Sequence, residues 1–528
     1  MPLSEVRAGM LCTGLSVVRG TEIASFDVEV LDVIADDPAT GGARLLVRVS
    51  GAAVDSTGVG PGFSGSPIIC GGRNAGAISE GIGEYGNKVV LATPIEAILG
   101  ARPRPSPVAR RAPGLLRSAR SLAGPLTVSG LSTGARRLLT RAARRKGLTV
   151  LAAPPGPLGG YPAQDLRPGA AVGASLSTGD ISVGAVGTVA YRDGDTVFAF
   201  GHALDGLGRR SLFLQDSYVF GVIGNPLGVP DLGAMTYKLA SSGGHPLGTF
   251  TNDTFAAIAG GLGAEPPSIP LRITARRSGA REQVVLDSRL ADERKLGLGA
   301  GMGLIAPLAA STALDRLQGS LEPVALSVCT RFRVRELRRV IGFCNPYFDS
   351  FAAFADVAEA AALVDDFDLA PLRIRGAAVS IVAEGAFADE VLASATAPPS
   401  VRAGSTVPVR IALRRRGGGA RSVTVQVPVP AGLPPGVRTL VLSGNGFEDD
   451  GEDLLIELVS ELSGPTASAS LSEPGSVRQL ARRVAALRHP LGIVARFKRR
   501  ATRVVLRSSA VRFDGRVKLR LRVVPARR

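Results

Sequence analysis

The 528-residue chain has no tryptophan, and aromatic residues of all kinds make up 5% of it. Its hydrophobic cores must therefore consist of Val, Leu, Ile and Ala. Lysine is also scarce, because six of the 62 basic residues are Lys and the rest are Arg. A 45% apolar content with 66 Gly and 36 Pro predicts folded, turn-rich, largely β material. The length predicts about three to four domains.

A long apolar run is missing too. The longest uncharged run, 296–314, contains four glycines and a proline, so the sequence predicts a buried Gly-rich turn and helix there rather than a transmembrane span. The first five residues, 1–5, are polar and show no signal peptide. The domain pattern begins almost at Met1, which leaves open that an upstream segment precedes it.

Cysteine spacing excludes the common metal sites. The four cysteines show no CxxC or zinc-ligand spacing, and the sequence predicts neither a metal nor a cofactor. An even count permits two disulfides, Cys12–Cys70 and Cys329–Cys344. Free buried thiols are equally compatible with the sequence.

The net charge of +17 is concentrated in two segments. Residues 101–150 carry 12 Arg and Lys and no acid, and residues 478–528 carry 17 against one acid. These segments are predicted to be a solvated linker and a solvated strand face, with contact to an anionic cell surface as the alternative. Residues 101–150 contain no aromatic residue and residues 478–528 contain two, Phe497 and Phe513. This scarcity argues against base stacking and specific nucleic-acid binding.

Strand-like alternation dominates the chain. It predicts strands at 26–34, 44–49 and 88–92, a hairpin around Asp193-Gly194, and a last hairpin from 504 to 523. Helices are predicted near 135–146, 348–364 and 476–487. The predicted domains are a β-barrel half at 1–100, a basic Pro-rich linker at 101–125, a second β-barrel half at 126–345, a helical connector at 346–383, an Ig-like β-sandwich at 384–465 and a basic α+β segment at 466–528.

One hexapeptide carries the strongest functional signal: Gly62-Phe63-Ser64-Gly65-Ser66-Pro67. Glycines on both sides of Ser64 allow a tight turn that can aim amide N–H groups at one point beside the hydroxyl. An attacked carbonyl needs such donors where its oxyanion develops. A predicted strand at 67–70 and a return strand at 75–79 follow, which is how chymotrypsin-like peptidases present their serine.

A nucleophilic serine needs a base, and the chain has three histidines. His489 lies at the end of a basic helix and His245 in a glycine-rich loop. His202 ends a predicted β-hairpin, where a rigid strand fixes its position and its near-neutral pKa suits proton transfer. The residues alone leave a catalytic and a purely structural role for His202 equally open.

Four segments resemble the SpoIVB-type serine peptidases, the sporulation stage IV B family: 59–69, 26–30, 191–202 and 248–253. In that family a Gly-Met-Ser-Gly-Ser-Pro segment carries the serine, and Phe63 stands here at the Met position. The resemblance implies a chymotrypsin-like double β-barrel in which Ser64 is the nucleophile and His202 the base. It also implies an enzyme that cuts few substrates, often including itself.

Two departures from the family are visible. Ser64 precedes His202 here, whereas the family has the opposite order; a circularly permuted arrangement can rebuild the same site, because a triad is defined by geometry. The stretch that matches the family's acid, 49–51, has no carboxylate. Asp55 is the nearest candidate acid, and it can equally make an Asx turn. The remaining candidates, ranked lower, are Asp205, Asp216 and Asp253. The family's PDZ module is not evident.

The sequence therefore predicts a serine endopeptidase with Ser64 as nucleophile, His202 as base, Asp55 as acid, and the N–H groups of Gly62 and Ser64 as the oxyanion site. Its partner is a protein or peptide substrate, which can be the chain itself. The expected location is extracytoplasmic or in the cell envelope, with the cytoplasm as the alternative. The missing acid favours a second reading, an inactive peptidase-fold scaffold of the cell envelope. A nucleic-acid-binding protein is a third reading that rests on charge alone.

Overall fold

The computed structural model describes residues 1–37, 42–82, 85–103, 126–145, 149–224, 236–320, 322–444, 474–489, 491–497, 503–508 and 510–525. The protein is mainly β, which confirms the predicted fold class at that level. Most of the predicted basic linker, at 104–125, lies outside the described residues, as does the end of the predicted sandwich at 445–465.

The first barrel is built from residues 11–94. Its strands are β1 (Leu11–Arg19), β2 (Glu22–Asp37), β3 (Gly42–Ser50), β4 (Pro67–Cys70), β5 (Arg73–Gly81) and β6 (Val89–Pro94). They close in the antiparallel order β1-β2-β3-β6-β5-β4. Alternate residues of β2 and β3, such as Val30, Leu45 and Val47, are fully buried in the barrel, as the period of two requires. The short helix α1 (Ile95–Gly100) follows.

Residues 126–262 contain α2 (Thr133–Arg145) and strands β7 (Leu126–Ser129), β8 (Val150–Ala153), β9 (Ala171–Ser175), β10 (Ser177–Gly179), β11 (Ser182–Asp193), β12 (Thr196–Ala199), β13 (Gly208–Asp216), β14 (Val219–Ile223), β15 (Tyr237–Ala240), β16 (Pro246–Asp253) and β17 (Ile258–Leu262). Six of these strands run in the order β12-β17-β16-β13-β9-β11, and the pairing of β11 with β12 closes them into a second barrel. Two six-stranded antiparallel barrels are consistent with a chymotrypsin-like double-barrel fold.

A helix-covered sheet comes next along the chain. Its elements are β18 (Ser268–Arg277), β19 (Gln283–Ala291), α3 (Met302–Gln318), β20 (Ala325–Val334), β21 (Ile341–Tyr347), α4 (Ser350–Asp365) and β22 (Ile374–Gly385). The strand order is β10-β19-β18-β22-β20-β21. Helices α2, α3 and α4 share one hydrophobic core with this sheet. The predicted Gly-rich turn and helix at 296–314 is confirmed by α3, which is buried along most of its length.

The last part of the chain forms a β-sandwich. Its strands are β23 (Ala388–Thr396), β24 (Ser400–Arg402), β25 (Thr406–Arg415), β26 (Ala420–Pro428), β27 (Gly436–Gly444), β28 (Ile493–Phe497), β29 (Arg503–Leu506), β30 (Val511–Asp514) and β31 (Arg516–Val524). The helix α5 (Val477–Ala486) lies between β27 and β28 in the sequence but packs on β21 and α4 of the helix-covered sheet. Sheets β26-β25-β23-β30 and β24-β31-β27-β28-β29 enclose one apolar core. The finer Ig-like assignment stays a prediction.

The predicted last hairpin, from 504 to 523, is wrong. β30 pairs with β23 in one sheet, and β31 pairs with β24 and β27 in the other. Gly515, at φ +85°, lets the chain cross from one sheet to the other. Asp-Gly therefore marks a turn here without marking a hairpin, because the strands on either side find partners far away in sequence.

Both disulfides that the cysteine count permits are present. Cys12–Cys70 links β1 to β4 within the first barrel, and Cys329–Cys344 links β20 to β21. Structural disulfides persist in oxidising compartments, so the pair suggests an extracytoplasmic protein. Among the described helices, none has both the length and the apolar character that crossing a bilayer demands.

Candidate active site

Residues 60–66, which we call the nucleophile turn, lead into β4. Gly62 and Gly65 have positive φ angles of +95° and +94°, a conformation that favours glycine. A Cβ atom on Gly65 would overlap the carbonyl oxygen of Thr188, and one on Gly62 would lie 2.8 Å from the Cβ of Lys238. The two glycines are thus required by the backbone conformation and also by close packing against Thr188 and Lys238, which lie more than 100 residues further along the chain.

The amides of the nucleophile turn divide into bonded and unbonded groups. The bonded N–H groups are those of Phe63, to Gly60 O at 2.9 Å, Gly65, to Ile78 O at 2.7 Å, and Ser66, to Phe63 O at 2.8 Å. Within the described part of the chain, the N–H groups of Gly62 and Ser64 donate to no protein acceptor. These are the two groups that the sequence assigns to the oxyanion site, and they remain available for a ligand.

The hydroxyl of Ser64 is accessible and weakly held. Ser64 is half-buried, whereas its neighbours Phe63 and Gly65 are buried. Its Oγ donates a long hydrogen bond of 3.4 Å to the carbonyl oxygen of Ser79 on β5. Among the described residues it makes no hydrogen bond to His202, so transfer of its proton to a base requires the hydroxyl to rotate away from Ser79 O.

His202 lies just beyond the end of β12. Strands β11 and β12 form the hairpin predicted around Asp193-Gly194. Phe200 and Gly201 then both adopt positive φ angles, +69° and +66°, which is unusual for a phenylalanine and turns the chain sharply. The hydroxyl of Thr93 donates a 2.6 Å hydrogen bond to Gly201 O and fixes this turn against the first barrel.

The serine and histidine motifs meet at the interface of the two barrels. Thr188 on β11 donates its N–H to Ser64 O at 2.8 Å and accepts the N–H of Phe200 at 3.2 Å. Gly201 packs on β5, where a Cβ atom would lie 3.0 Å from Ile78 O. The structure therefore brings together the nucleophile turn and the turn after β12, which are far apart in sequence. Both contact Ile78 on β5.

The ring of His202 is half-buried, and its Nδ1 lies 2.6 Å from Ala203 O. A carbonyl oxygen only accepts, so Nδ1 carries the proton and Nε2 presents its lone pair. Burial lowers the pKa of His202 below its ordinary value, and the positive charge of Arg44 lowers that pKa further, while the bond to Ala203 O opposes both. The imidazole is thereby kept neutral, as a general base must be before it acts.

In the part of the chain that the structure describes, Asp55 bonds to Lys88 and Gly51 and not to His202. Its carboxylate forms a 2.9 Å ion pair with Lys88 Nζ and accepts the N–H of Gly51 at 3.0 Å. The Lys88 hydrogen bond lowers the pKa of Asp55 below its ordinary value. No hydrogen bond joins Asp55 to His202 among the described residues, so the acid role of Asp55 stays a prediction that these contacts do not support.

The lower-ranked aspartates also have other partners. Asp205 pairs with Arg210, and Asp253 accepts the N–H groups of residues 204–206, at 2.8 Å each. Asp253 therefore holds the loop that follows His202, although it is not bonded to the imidazole. The sequence indicates Asp253 only as a possible acid and gives no sign of this role, because the contact depends on the pairing of β13 with β16.

The other two histidines have carboxylate partners away from Ser64. His245 Nδ1 lies 2.8 Å from Asp216 Oδ2, and His489 Nε2 lies 3.1 Å from Asp356 Oδ2. The loop of His245 packs on β11 at Ser182, six residues from the point where β11 bonds Ser64, which is about 20 Å along a strand. His202 is the histidine that the fold brings to the nucleophile turn.

Two basic residues at the site were missed from the sequence. Arg44, on β3, is buried near His202, and its Nη2 atom lies 3.6 Å from Glu80 Oε1. Lys238, on β15, is buried beneath the nucleophile turn. The alternation of β15 places Lys238 on the same face as the buried Ala240, which is the one sequence signal that marks it.

Comparison with known proteins identifies no family for this chain. The chain matches no family model, and no curated protein or solved structure is significantly similar to it. Among the residues that the structure describes, no three His, Cys, Asp or Glu side chains are grouped so that they could hold a metal ion.

Proposed function

We propose that the protein is a serine endopeptidase similar to the SpoIVB type, with Ser64 as nucleophile and His202 as base. The observation that carries the proposal is that both motifs are bonded to one residue: Thr188 donates its N–H to Ser64 O and accepts the N–H of Phe200. Two remote segments that resemble one family's catalytic motifs thus lie together in a double-barrel fold. The two disulfides support an extracytoplasmic location.

The reaction begins when Nε2 of His202 takes the proton of the Ser64 hydroxyl. Oγ attacks the substrate carbonyl carbon, and the oxyanion that forms accepts hydrogen bonds from the N–H groups of Gly62 and Ser64. The imidazolium returns its proton to the leaving amine, the C–N bond breaks, and an ester to Ser64 remains. Water, deprotonated by the same imidazole, hydrolyses that ester.

The site differs from a full triad because a backbone carbonyl takes the place of the acid. Ala203 O fixes the tautomer of His202, but it carries no full charge to stabilise the imidazolium, and Arg44 disfavours it. Altering the triad acid in serine peptidases lowers turnover by about 10⁴. We therefore expect slow turnover, which fits an enzyme that cuts itself or few substrates.

A second candidate is a non-catalytic peptidase-fold scaffold of the cell envelope. The specific observation in its favour is electrostatic: a buried arginine lies near His202, and Asp55 is paired with Lys88. The appended β-sandwich gives such a scaffold a separate surface for contacts. In this alternative Ser64 is held in a fixed turn but never acylated.

A fluorophosphonate probe separates the two candidates, since it labels an activated serine without needing the natural substrate. We expect labelling at Ser64, identified by mass spectrometry, that is lost in Ser64→Ala and strongly slowed in His202→Gln. The matched control is Ser278→Ala, at an exposed serine in the turn after β18. Absence of labelling in the folded wild-type protein would instead establish the scaffold.

A further inference from the structure

Lys238 projects from β15 into the space beneath the nucleophile turn, and 3% of it is exposed. Its Nζ donates to Ser16 Oγ at 2.7 Å and to Thr188 Oγ1 at 3.1 Å. The same atom lies 4.6 Å from the ring centroid of Phe63, within the range of a cation–π interaction. The three N–H bonds of the ammonium thus serve two hydroxyls and one aromatic face.

Both hydroxyls connect Lys238 to the nucleophile turn through further hydrogen bonds. Thr188 Oγ1 donates to Gly62 O at 2.9 Å, and Ser66 Oγ donates to Ser16 Oγ at 2.9 Å. With the Phe63 ring, the ammonium supports the turn at three positions that flank Ser64 on both sides. The support includes Gly62, whose N–H is one of the two unbonded donors.

Among the described residues the ammonium has no counter-charge. β1 presents Ser16 to it, β11 presents Thr188, and the nucleophile turn presents Phe63, Gly62 O and Ser66. No carboxylate, imidazole or guanidinium contacts Nζ in the described part of the chain. An unpaired buried charge is costly, and burial lowers the pKa of Lys238 to about 7. A methionine would fill the same space without that cost, so the amine indicates a role beyond packing.

We propose that Lys238 is a positioning residue whose charged ammonium holds the nucleophile turn in the conformation that leaves the Gly62 and Ser64 N–H groups free, and that loss of its proton releases the turn while the amine itself stays buried. This inference rests on the proposed peptidase function of Ser64. A neutral amine has two N–H bonds and one lone pair. Its lone pair accepts a hydrogen bond from the Thr188 hydroxyl, which then no longer donates to Gly62 O. The neutral amine also loses the cation–π attraction to the Phe63 ring.

The first test is the rate of fluorophosphonate labelling at Ser64 between pH 5 and 9. In the wild type the rate rises as His202 loses its proton and falls again as Lys238 does. In Lys238→Met we expect a rate about tenfold lower at pH 6.5 and no decline on the alkaline side. Lys295→Met, at an exposed lysine, is the control and keeps the wild-type profile. A wild-type profile in Lys238→Met would overturn the proposal.

The second test does not depend on chemistry at Ser64. Amide hydrogen exchange of Phe63, Gly65 and Ser66 reports how firmly the nucleophile turn is held. We expect exchange at least tenfold faster in Lys238→Met and in Thr188→Val, with no change in the β-sandwich. Unchanged exchange in both variants contradicts the positioning role. If the wild type is not labelled yet exchange responds, the peptidase proposal fails while the positioning of the turn stands.

Discussion

The N–H of Thr188 donates a 2.8 Å hydrogen bond to the carbonyl oxygen of Ser64. The carbonyl oxygen of Thr188 accepts the N–H of Phe200, two residues before His202, and its hydroxyl donates to Gly62 O. One residue of β11 therefore bonds both motifs of the candidate site. Any change that moves β11 relative to the first barrel should alter the nucleophile and the base together.

Gly65→Ala should be strongly destabilising. Its Cβ would overlap Thr188 O, and its φ of +94° is unfavourable for any L side chain. Gly72→Ala is a matched control, because Gly72 has φ +77° and open space around its Cβ position. In urea unfolding we expect Gly65→Ala to cost about 2 kcal/mol or more beyond the control. Equal costs for the two variants would show that close packing on β11 is unimportant.

Asp253→Asn should loosen the loop after His202. Oδ1 accepts the N–H of Leu204, and Oδ2 accepts those of Asp205 and Gly206. Asparagine keeps one acceptor oxygen and presents an NH₂ group at the other position, so the N–H groups that face it lose their acceptor. We expect a loss of about 1–3 kcal/mol in the free energy of unfolding and slower labelling of Ser64. Asp287→Asn removes an exposed ion pair with Arg272 and should cost less than about 1 kcal/mol. Similar costs for both variants would contradict a structural role for Asp253.

Lys238 should make stability depend on pH. Its pKa is about 7 in the folded protein and near 10.5 when unfolded, so between these values the unfolded chain binds more protons. The free energy of unfolding should therefore rise with pH from about 7 to 10, by up to about 1.4 kcal/mol per pH unit from this group. Lys238→Met should remove that contribution, as measured by urea unfolding at several pH values. If the free energy of unfolding of Lys238→Met rises with pH as steeply as that of the wild type, Lys238 is not the group responsible.

The two disulfides should contribute unequally to stability. Cys12–Cys70 spans 58 residues and Cys329–Cys344 spans 15. The loop-entropy model gives about 4 kcal/mol for the longer loop and about 3 kcal/mol for the shorter one. Replacing both cysteines of a pair by alanine should thus lower the thermal midpoint more for Cys12 and Cys70. The opposite order would mean that strain or residual structure outweighs chain entropy.

Local signals predicted much of the fold correctly. The strand at 67–70, the hairpin at Asp193-Gly194 and the helix that Ser476 caps all lie where turn and capping residues indicate them. The last hairpin failed, because β30 and β31 each found a distant strand to pair with. The strand β22 lies within the predicted connector, and its parallel pairing with β18 has no local signature.

The features of the candidate site likewise fall into those that the local sequence predicts and those that depend on tertiary contacts. That Ser64 stands between two glycines and that His202 follows a hairpin is evident from the sequence, because turn geometry and strand period are local properties. The bonds of both motifs to Thr188, the pairing of Asp55 with Lys88, and the burial of Arg44 and Lys238 beside them arise from folding in three dimensions. Contacts of this kind depend on how two closed barrels pack, and packing across a long sequence separation leaves no periodic pattern in the chain.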